Sequence, residues 1–471
     1  MTSKNAAMKA GLGYTVGNVL VKGVYFLTIP LFSRIMTTDE FGVCNVFLSY
    51  DAILSVLVGL GIHTSIKSAH YEFKNTDDYT SSVTIIYMLT SLVYALLFLL
   101  GGSWLAEMLD FKPSVLFLLI PYSFSSSIVQ LYNQRISLDY EYRKYLYISL
   151  VNSLGNIFFS VFFILTIYRS QRDVGRIVGT VVPIFLIAIV LLISMYSKAK
   201  PRFDKKYWKF ALLYSLPIVP HGVSQVLLGQ CDRIMISRMV SNSAAGIYSL
   251  AGNLKLILTV ITTSIAVAWS TWFFARMKEK KENDIQESAI LLVRMFLVFT
   301  VGLMALSPEI ICILGDSNYE LAKLVAIPMV MDAFILFLYN VIVPSEYYTK
   351  KTKYIMLGTL VAAVINLVAN YICIQAFGFI AAAYTTLFSY ICYLILHVAI
   401  SRNLVGFDVV KIRWLFFSAL VVGATGAADV FFVDSILFRY GICAVVVILL
   451  SPPLLKYLKE SKERKEDSAN E

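Results

Sequence analysis

Apolar residues in this chain run on rather than alternate. Stretches such as 82–100, 146–168 and 177–196 contain no Asp, Glu, Lys or Arg. They reach the roughly 20 residues a helix needs to cross about 30 Å of hydrocarbon. The pattern predicts spans near 12–33, 41–65, 81–101, 114–134, 145–168, 174–197, 209–230, 243–270, 287–308, 322–344, 354–376, 378–401, 413–433 and 437–456. The fold class expected is therefore an all-α integral membrane protein of about fourteen transmembrane helices. The first apolar segment outruns a signal-peptide core and shows no convincing small-residue cleavage site, so the first span is expected to remain in the mature protein.

Polar connections organise the spans. The most basic one, "SKAKPRFDKKYWK" at 197–209, separates six spans from eight. Before it, "SRIMTTDEFG" begins at Ser33, and after it "SRMVSNSAAG" begins at Ser237, an offset of 204 that also pairs Gly42 with Gly246 and Asp51 with Lys255. Six spans are an even number, so the two halves run in the same sense, related by an axis along the membrane normal; transporters built this way place substrate at the repeat interface near the midplane. The expected organisation is a six-helix lobe over 1–197, a basic linker over 198–208, a second six-helix lobe over 209–401, and two further helices with a charged tail over 402–471.

Charge fixes an orientation. With both termini cytoplasmic, twenty-eight of the forty basic residues fall on that side in short segments and nine on the other, as the positive-inside bias requires. The chain is only 15% charged and 58% hydrophobic, against about a quarter charged for soluble domains. Its net charge of +10 thus reflects topology and contact with anionic headgroups. No basic stripe interleaved with aromatics sits in a soluble domain, so a nucleic-acid partner is not expected. The six cysteines lie in or beside apolar segments without Cys-x-x-Cys spacing or nearby histidines, so they read as small buried hydrophobes. No metal or cofactor is expected.

The remaining three basic residues, Lys22, Lys255 and Arg294, lie inside spans. A charge near the bilayer centre costs at least about 2.5 kcal/mol, so a cavity, partner or ligand must receive it. Around Lys22, the positions Tyr14, Asn18 and Tyr25 share a face at helical spacing. The second span repeats this with Asp51, Ser55, Gly59 and His63, and the eighth with Tyr248, Gly252, Lys255, Thr259 and Thr263. In the seventh, Tyr214, His221 and Gln225 sit beside Pro217 and Pro220, which should bend or break the helix. These four polar faces are expected to line one chamber. Two readings stay open for the charges: ion pairs, Lys22 with Asp51 and Arg294 with Asp332, or reception of an anionic ligand by the cations. His63 and His221 are candidate proton-coupling groups. Asn152 with Asn156, and Asn366 with Asn370, are expected to hydrogen-bond between helices, and His397 to be interfacial.

The segments "YTVGNVLVKGVYFLTIPLFSRIMTTDEFGVCNVFLSYDAILSVLVGLGI" and "LPIVPHGVSQVLLGQCDRIMISRMVSNSAAGIYSLAGNLKLI" resemble the oligosaccharide flippase family of the multidrug, oligosaccharidyl-lipid and polysaccharide exporter superfamily. The matching positions are Pro30, Ser33, Arg34, Glu40, Phe41 and Gly42. The resemblance implies a six-plus-six-plus-two plan that moves polyprenyl-diphosphate-linked oligosaccharide from the inner to the outer leaflet of the bacterial cytoplasmic membrane by alternating access. It implies that Lys22, Lys255 and Arg294, with Asn18, Tyr25 and Tyr248, meet the diphosphate and sugars. Membrane lipids, a polysaccharide polymerase and other assembly proteins are the implied partners of a monomer. The competing readings are a peptidoglycan-precursor flippase, a multidrug exporter of the same superfamily, and a membrane glycosyltransferase or polymerase. The exporter would usually have twelve spans and acidic binding groups. The enzyme would need a sizeable outer loop, and here Asp39-Glu40 reads more simply as a cap on the second span.

Overall fold

The computed structural model describes residues 3–452, with side chains from Val16 onward. The charged tail and the end of the last expected span lie outside the described residues. No strand occurs among those residues, and thirteen helices are long and apolar enough to cross a membrane. They are span 1 (Val16–Ile35), span 2 (Thr38–Gly59), span 3 (Thr76–Leu109), span 4 (Pro113–Leu138), span 5 (Tyr142–Leu165), span 6 (Arg172–Lys198) and span 7 (Lys205–Met239). Span 8 (Leu254–Lys278), span 9 (Glu282–Leu314), span 10 (Ala322–Tyr348), span 11 (Thr352–Phe377), span 12 (Ala381–Val405) and span 13 (Ile412–Phe431) follow. A shorter apolar helix, Ile436–Pro452, stands at the fourteenth expected position.

The chain forms two compact units, one up to Gly246 and one from Ile247. In the first, span 4 packs against spans 2, 3 and 6, spans 5 and 6 form a close hairpin, and span 1 lies on span 5. The second part of span 7 packs along span 2. The basic connection is tied to span 3, where Ser82 Oγ donates to the Arg202 carbonyl at 2.8 Å and Trp208 Nε1 donates to the Ser82 carbonyl at 3.2 Å. In the second unit, span 10 is central and almost wholly buried, touched by spans 8, 9, 12 and 13.

Local chemistry explains the element ends. Glu40 closes a capping box: the Thr37 hydroxyl accepts from the Glu40 amide at 3.2 Å and the Glu40 carboxylate accepts from the Thr37 amide at 2.9 Å. This satisfies two orphan donors of span 2, so the Asp39-Glu40 turn is a cap as expected. Span 2 ends earlier than expected, because Leu60 and Gly61 both take left-handed backbone, with φ of 46° and 64°. His63 therefore sits in the short turn Ile62–Ser65 and not on the polar face of span 2. Span 7 breaks where the prolines predict, at the tight turn Leu216–Ile218. The eighth span, expected to be continuous, is two helices, Asn242–Gly252 and Leu254–Lys278. At the break the Asn253 side chain donates to the Ser249 carbonyl at 3.1 Å, competing with the helical ladder beside a weak helix former.

The two copies of the internal repeat meet within the first unit. A Cβ on Gly42 would stand 1.8 Å from the Asn242 carbonyl oxygen, and one on Gly246 would stand 2.1 Å from the Thr38 carbonyl oxygen. Residue 38 corresponds to 242 and 42 to 246 at the repeat offset, so each copy offers its glycine to the other's helix start. Such reciprocal contact is the signature of a two-fold relation. The Thr38 and Ser243 hydroxyls, 2.7 Å apart, bridge the same crossing.

Candidate functional site

Intramembrane charge in the first unit centres on spans 1, 2, 4, 5 and 6. Lys22 is partly buried and forms no ion pair among the described residues. The expected Lys22–Asp51 pair is not formed. Asp51 is 8% exposed and its carboxylate accepts from Ser123 Oγ of span 4 at 2.6 Å, so a neutral hydroxyl takes the place the lysine was expected to fill. Asn18, one turn before Lys22, accepts a hydrogen bond from the Tyr145 hydroxyl of span 5. Tyr25, one turn after Lys22, is 40% exposed. The Tyr14 side chain lies outside the described residues.

Arg176, one turn into span 6, is a cation that the sequence analysis places among the nine basic residues of the outer side and not inside a span. Its guanidinium donates to Asn156 Oδ1 at 2.5 Å and to the Ser160 hydroxyl on span 5, and it lies 3.7 Å from the centre of the Phe32 ring of span 1. Tyr25 stands two turns before Phe32 on the same side of span 1. Arg176, Tyr25 and Lys22 thus follow one another down the same side of span 1. The available signal was that Arg176 falls within the expected bounds of span 6, one residue before its charge-free run.

The second unit settles its charges differently from expectation. Asp332, 1% exposed at the centre of span 10, pairs with Lys255 of span 8 at 2.7 Å, not with Arg294. Lys255 keeps 27% exposure, and its ammonium lies 5.7 Å from the centre of the Tyr390 ring. Arg294 instead stacks on Trp414 of span 13, 4.2 Å from its ring centre; the indole face offers a cation a quadrupole in place of a carboxylate. Tyr248, at 3% exposure, is a packed residue of the helix preceding span 8. His63 and His221 are both partly buried, the latter just past the break in span 7.

Of the Asn152 and Asn156 pair, only Asn156 bonds across helices, to Arg176 of span 6, while Asn152 Oδ1 is buried without a hydrogen-bond partner among the described residues. The other pair joins spans 11 and 12: Asn366 donates to Thr386 at 2.9 Å and Asn370 accepts from the Thr385 hydroxyl, while Asn370 donates to Asn366 within span 11 at 3.2 Å. His397 is not interfacial. It is wholly buried, with Nδ1 2.5 Å from a Glu346 carboxylate that is equally buried, and its ring packs edge-on against both the Tyr339 and Tyr393 rings. No sequence signal marks this pair, whose members lie 51 residues apart on different helices.

An all-α membrane protein with cations and aromatics inside its spans is the class these features define, and solved structures share the fold. The chain matches a structure described as lipid II flippase MurJ in an inward closed conformation with a TM-score of 0.73, at 15% identity, covering 94% of this chain and 99% of that one. It matches an inward-facing multidrug resistance MATE family transporter with a TM-score of 0.65, at 12% identity, over 83% of this chain and 98% of the other.

The sequence of residues 8–275 matches the family described as polysaccharide biosynthesis protein, and the chain belongs to that family. A probable low-salt glycan biosynthesis flippase of Haloferax volcanii is 20% identical over 419 residues, 86% of each chain. A putative protein of the Lsg locus of Haemophilus influenzae is 25% identical over 281 residues, 57% of this chain and 66% of the relative. The protein is accordingly a multi-pass membrane protein of the polysaccharide biosynthesis family, similar in sequence to a flippase and in fold to flippase and multidrug transporter structures.

Proposed function

We propose that the protein carries a polyprenyl-diphosphate-linked oligosaccharide from the inner to the outer leaflet of the bacterial cytoplasmic membrane, by alternating access, for surface polysaccharide assembly. Both termini then face the cytoplasm, and the six-plus-six-plus-two lobes are the moving parts. The observation that carries this reading is Lys22, a lysine inside span 1 without an ion-pair partner among the described residues, one turn from Tyr25 in the region that matches the family.

A cation held in a membrane without a counter-ion is set to receive an anion. The diphosphate supplies about two negative charges, and moving one charge through 100 mV is worth about 2.3 kcal/mol, so outward transfer from a negative interior is downhill by about 4–5 kcal/mol. Arg176 adds a second cation on the same side, with Tyr25 between them to meet a sugar face. In the second unit Lys255 is paired with Asp332, so any ligand role there would be shared with that carboxylate. Cationic cargo would find the wrong sign at Lys22 and Arg176, which disfavours a drug exporter.

The test is a deletion strain complemented with variants and scored by its cell-surface glycan profile. Loss of a surface glycan on deletion, failure of Lys22→Glu to restore it despite normal insertion, and restoration by Arg169→Glu on an outer connection are the expected outcomes. Full restoration by Lys22→Glu would overturn the reading. Rescue of a strain lacking its peptidoglycan-precursor flippase would replace the proposed sugar cargo with that precursor.

A further inference from the structure

A groove on the first unit shares no lining residue with the charges described above. It has a volume of about 620 Å³ and runs between spans 5 and 6, with Tyr132 of span 4 at one end. Arg143 and Lys144 form its rim at the start of span 5, beside Ser194 near the end of span 6. Its walls are Ile148, Val151, Leu186 and Val190. Rim and floor are eight residues apart on each helix, or about 12 Å at 1.5 Å per residue. That is most of one leaflet of a hydrocarbon core about 30 Å thick.

Both rim cations are exposed. Lys144 shares its charge with Glu141 at 2.7 Å, whereas Arg143 forms no ion pair among the described residues. On the topology proposed above, this end of the hairpin faces the cytoplasm, as do Lys198 and Lys200 nearby in sequence.

We propose that this groove is a binding site for one anionic diacyl phospholipid of the inner leaflet, with its phosphate at Arg143 and Lys144 and one acyl chain along Val151 and Val190. Basic residues above an apolar slot between helices match an acidic headgroup and its chain together. The slot's length fits a chain that stays within its own leaflet. Its lining shares no residue with the cluster of Lys22, Tyr25 and Arg176, so the site tunes the spans 5–6 hairpin rather than carrying cargo.

Native mass spectrometry of the purified full-length protein tests this, with dioleoyl phosphatidylglycerol and dioleoyl phosphatidylcholine added in equal amounts. One phosphatidylglycerol should be retained about thirtyfold more strongly than phosphatidylcholine, from two basic residues near the headgroup. Arg143→Gln with Lys144→Gln should abolish that preference, and Val190→Trp, which fills the slot, should lower retention of both lipids. Lys198→Gln with Lys200→Gln removes equal charge at the same membrane end and should change nothing. Equal retention of the two lipids by the wild type, an undiminished preference in the Arg143/Lys144 variant, or equal loss in the Lys198/Lys200 variant would each overturn the proposal. So would displacement by glycerol phosphate, which marks a plain phosphate site, or by polyprenyl phosphate at equal concentration, which marks cargo.

Discussion

Removing Lys255 separates structural from transport roles for the Asp332 carboxylate buried in the second unit. Lys255→Met removes the ammonium that stands 2.7 Å from Asp332, a carboxylate 1% exposed at the centre of span 10. At an effective dielectric of about 20, opposite charges at that distance attract by about 6 kcal/mol. Most of this offsets the cost of drawing both groups out of water, and breaking a buried pair typically costs about 3–5 kcal/mol. Because Lys255 keeps 27% exposure, the lower end applies, about 3 kcal/mol. For a cooperative unit of the size that begins at Ile247, this is a fall of roughly 6–12 °C in Tm. Lys255→Met with Asp332→Leu replaces the pair by apolar groups of similar volume and should restore Tm. The assay is thermal unfolding of purified variants followed by intrinsic fluorescence, alongside surface-glycan export. A ligand role for Lys255 requires that the double variant regain Tm but not export. Export restored with Tm makes the pair purely structural. An unchanged Tm in Lys255→Met, or a double variant as unstable as the single one, would refute the pairing argument itself. Charge reversal at Lys255 is the poorer probe, because it sets a second carboxylate against Asp332.

Three further expectations follow from the geometry. Gly42→Ala and Gly246→Ala each drive a Cβ into a backbone carbonyl, which no side-chain rotation relieves; they should lose about 1–3 kcal/mol or more and yield less monodisperse protein by size-exclusion chromatography, while Gly229→Ala, with open space around it, should behave as wild type. Arg176→Lys keeps the charge but not the fork that reaches Asn156 and Ser160 over the Phe32 ring, so export should drop although net charge is unchanged; wild-type export would show that charge alone suffices. Glu346→Gln, opposite the wholly buried His397, should lower stability by about 1–3 kcal/mol in thermal unfolding while the folded fraction exports normally.

The spans were legible because crossing hydrocarbon imposes a length and a composition that no packing detail can override. The break in span 7 was legible for a similar reason, since Pro217 and Pro220 lack the amide hydrogens a helix needs. The end of span 2 was not, because Leu60 is an ordinary helix former whose left-handed backbone is fixed by the turn into Gly61. Helical spacing correctly grouped Asn18, Lys22 and Tyr25 on one face, yet spacing says nothing about which helix stands opposite. Asp332 therefore found Lys255, 77 residues away, rather than Arg294, and Asp51 found Ser123. The repeat offset also pointed further than its few identities suggested, for it names the two glycines that meet in the first unit.

Leaflet transfer by the purified protein tests the central claim most directly. Proteoliposomes carrying a polyprenyl-diphosphate-linked oligosaccharide on one leaflet, under a potassium diffusion potential, would be sampled with a membrane-impermeant sugar-modifying reagent. The account predicts protein-dependent transfer that speeds up when the destination side is positive, stops in Lys22→Glu and persists in Arg169→Glu. Transfer no faster than in protein-free vesicles, or unchanged by Lys22→Glu, would contradict it.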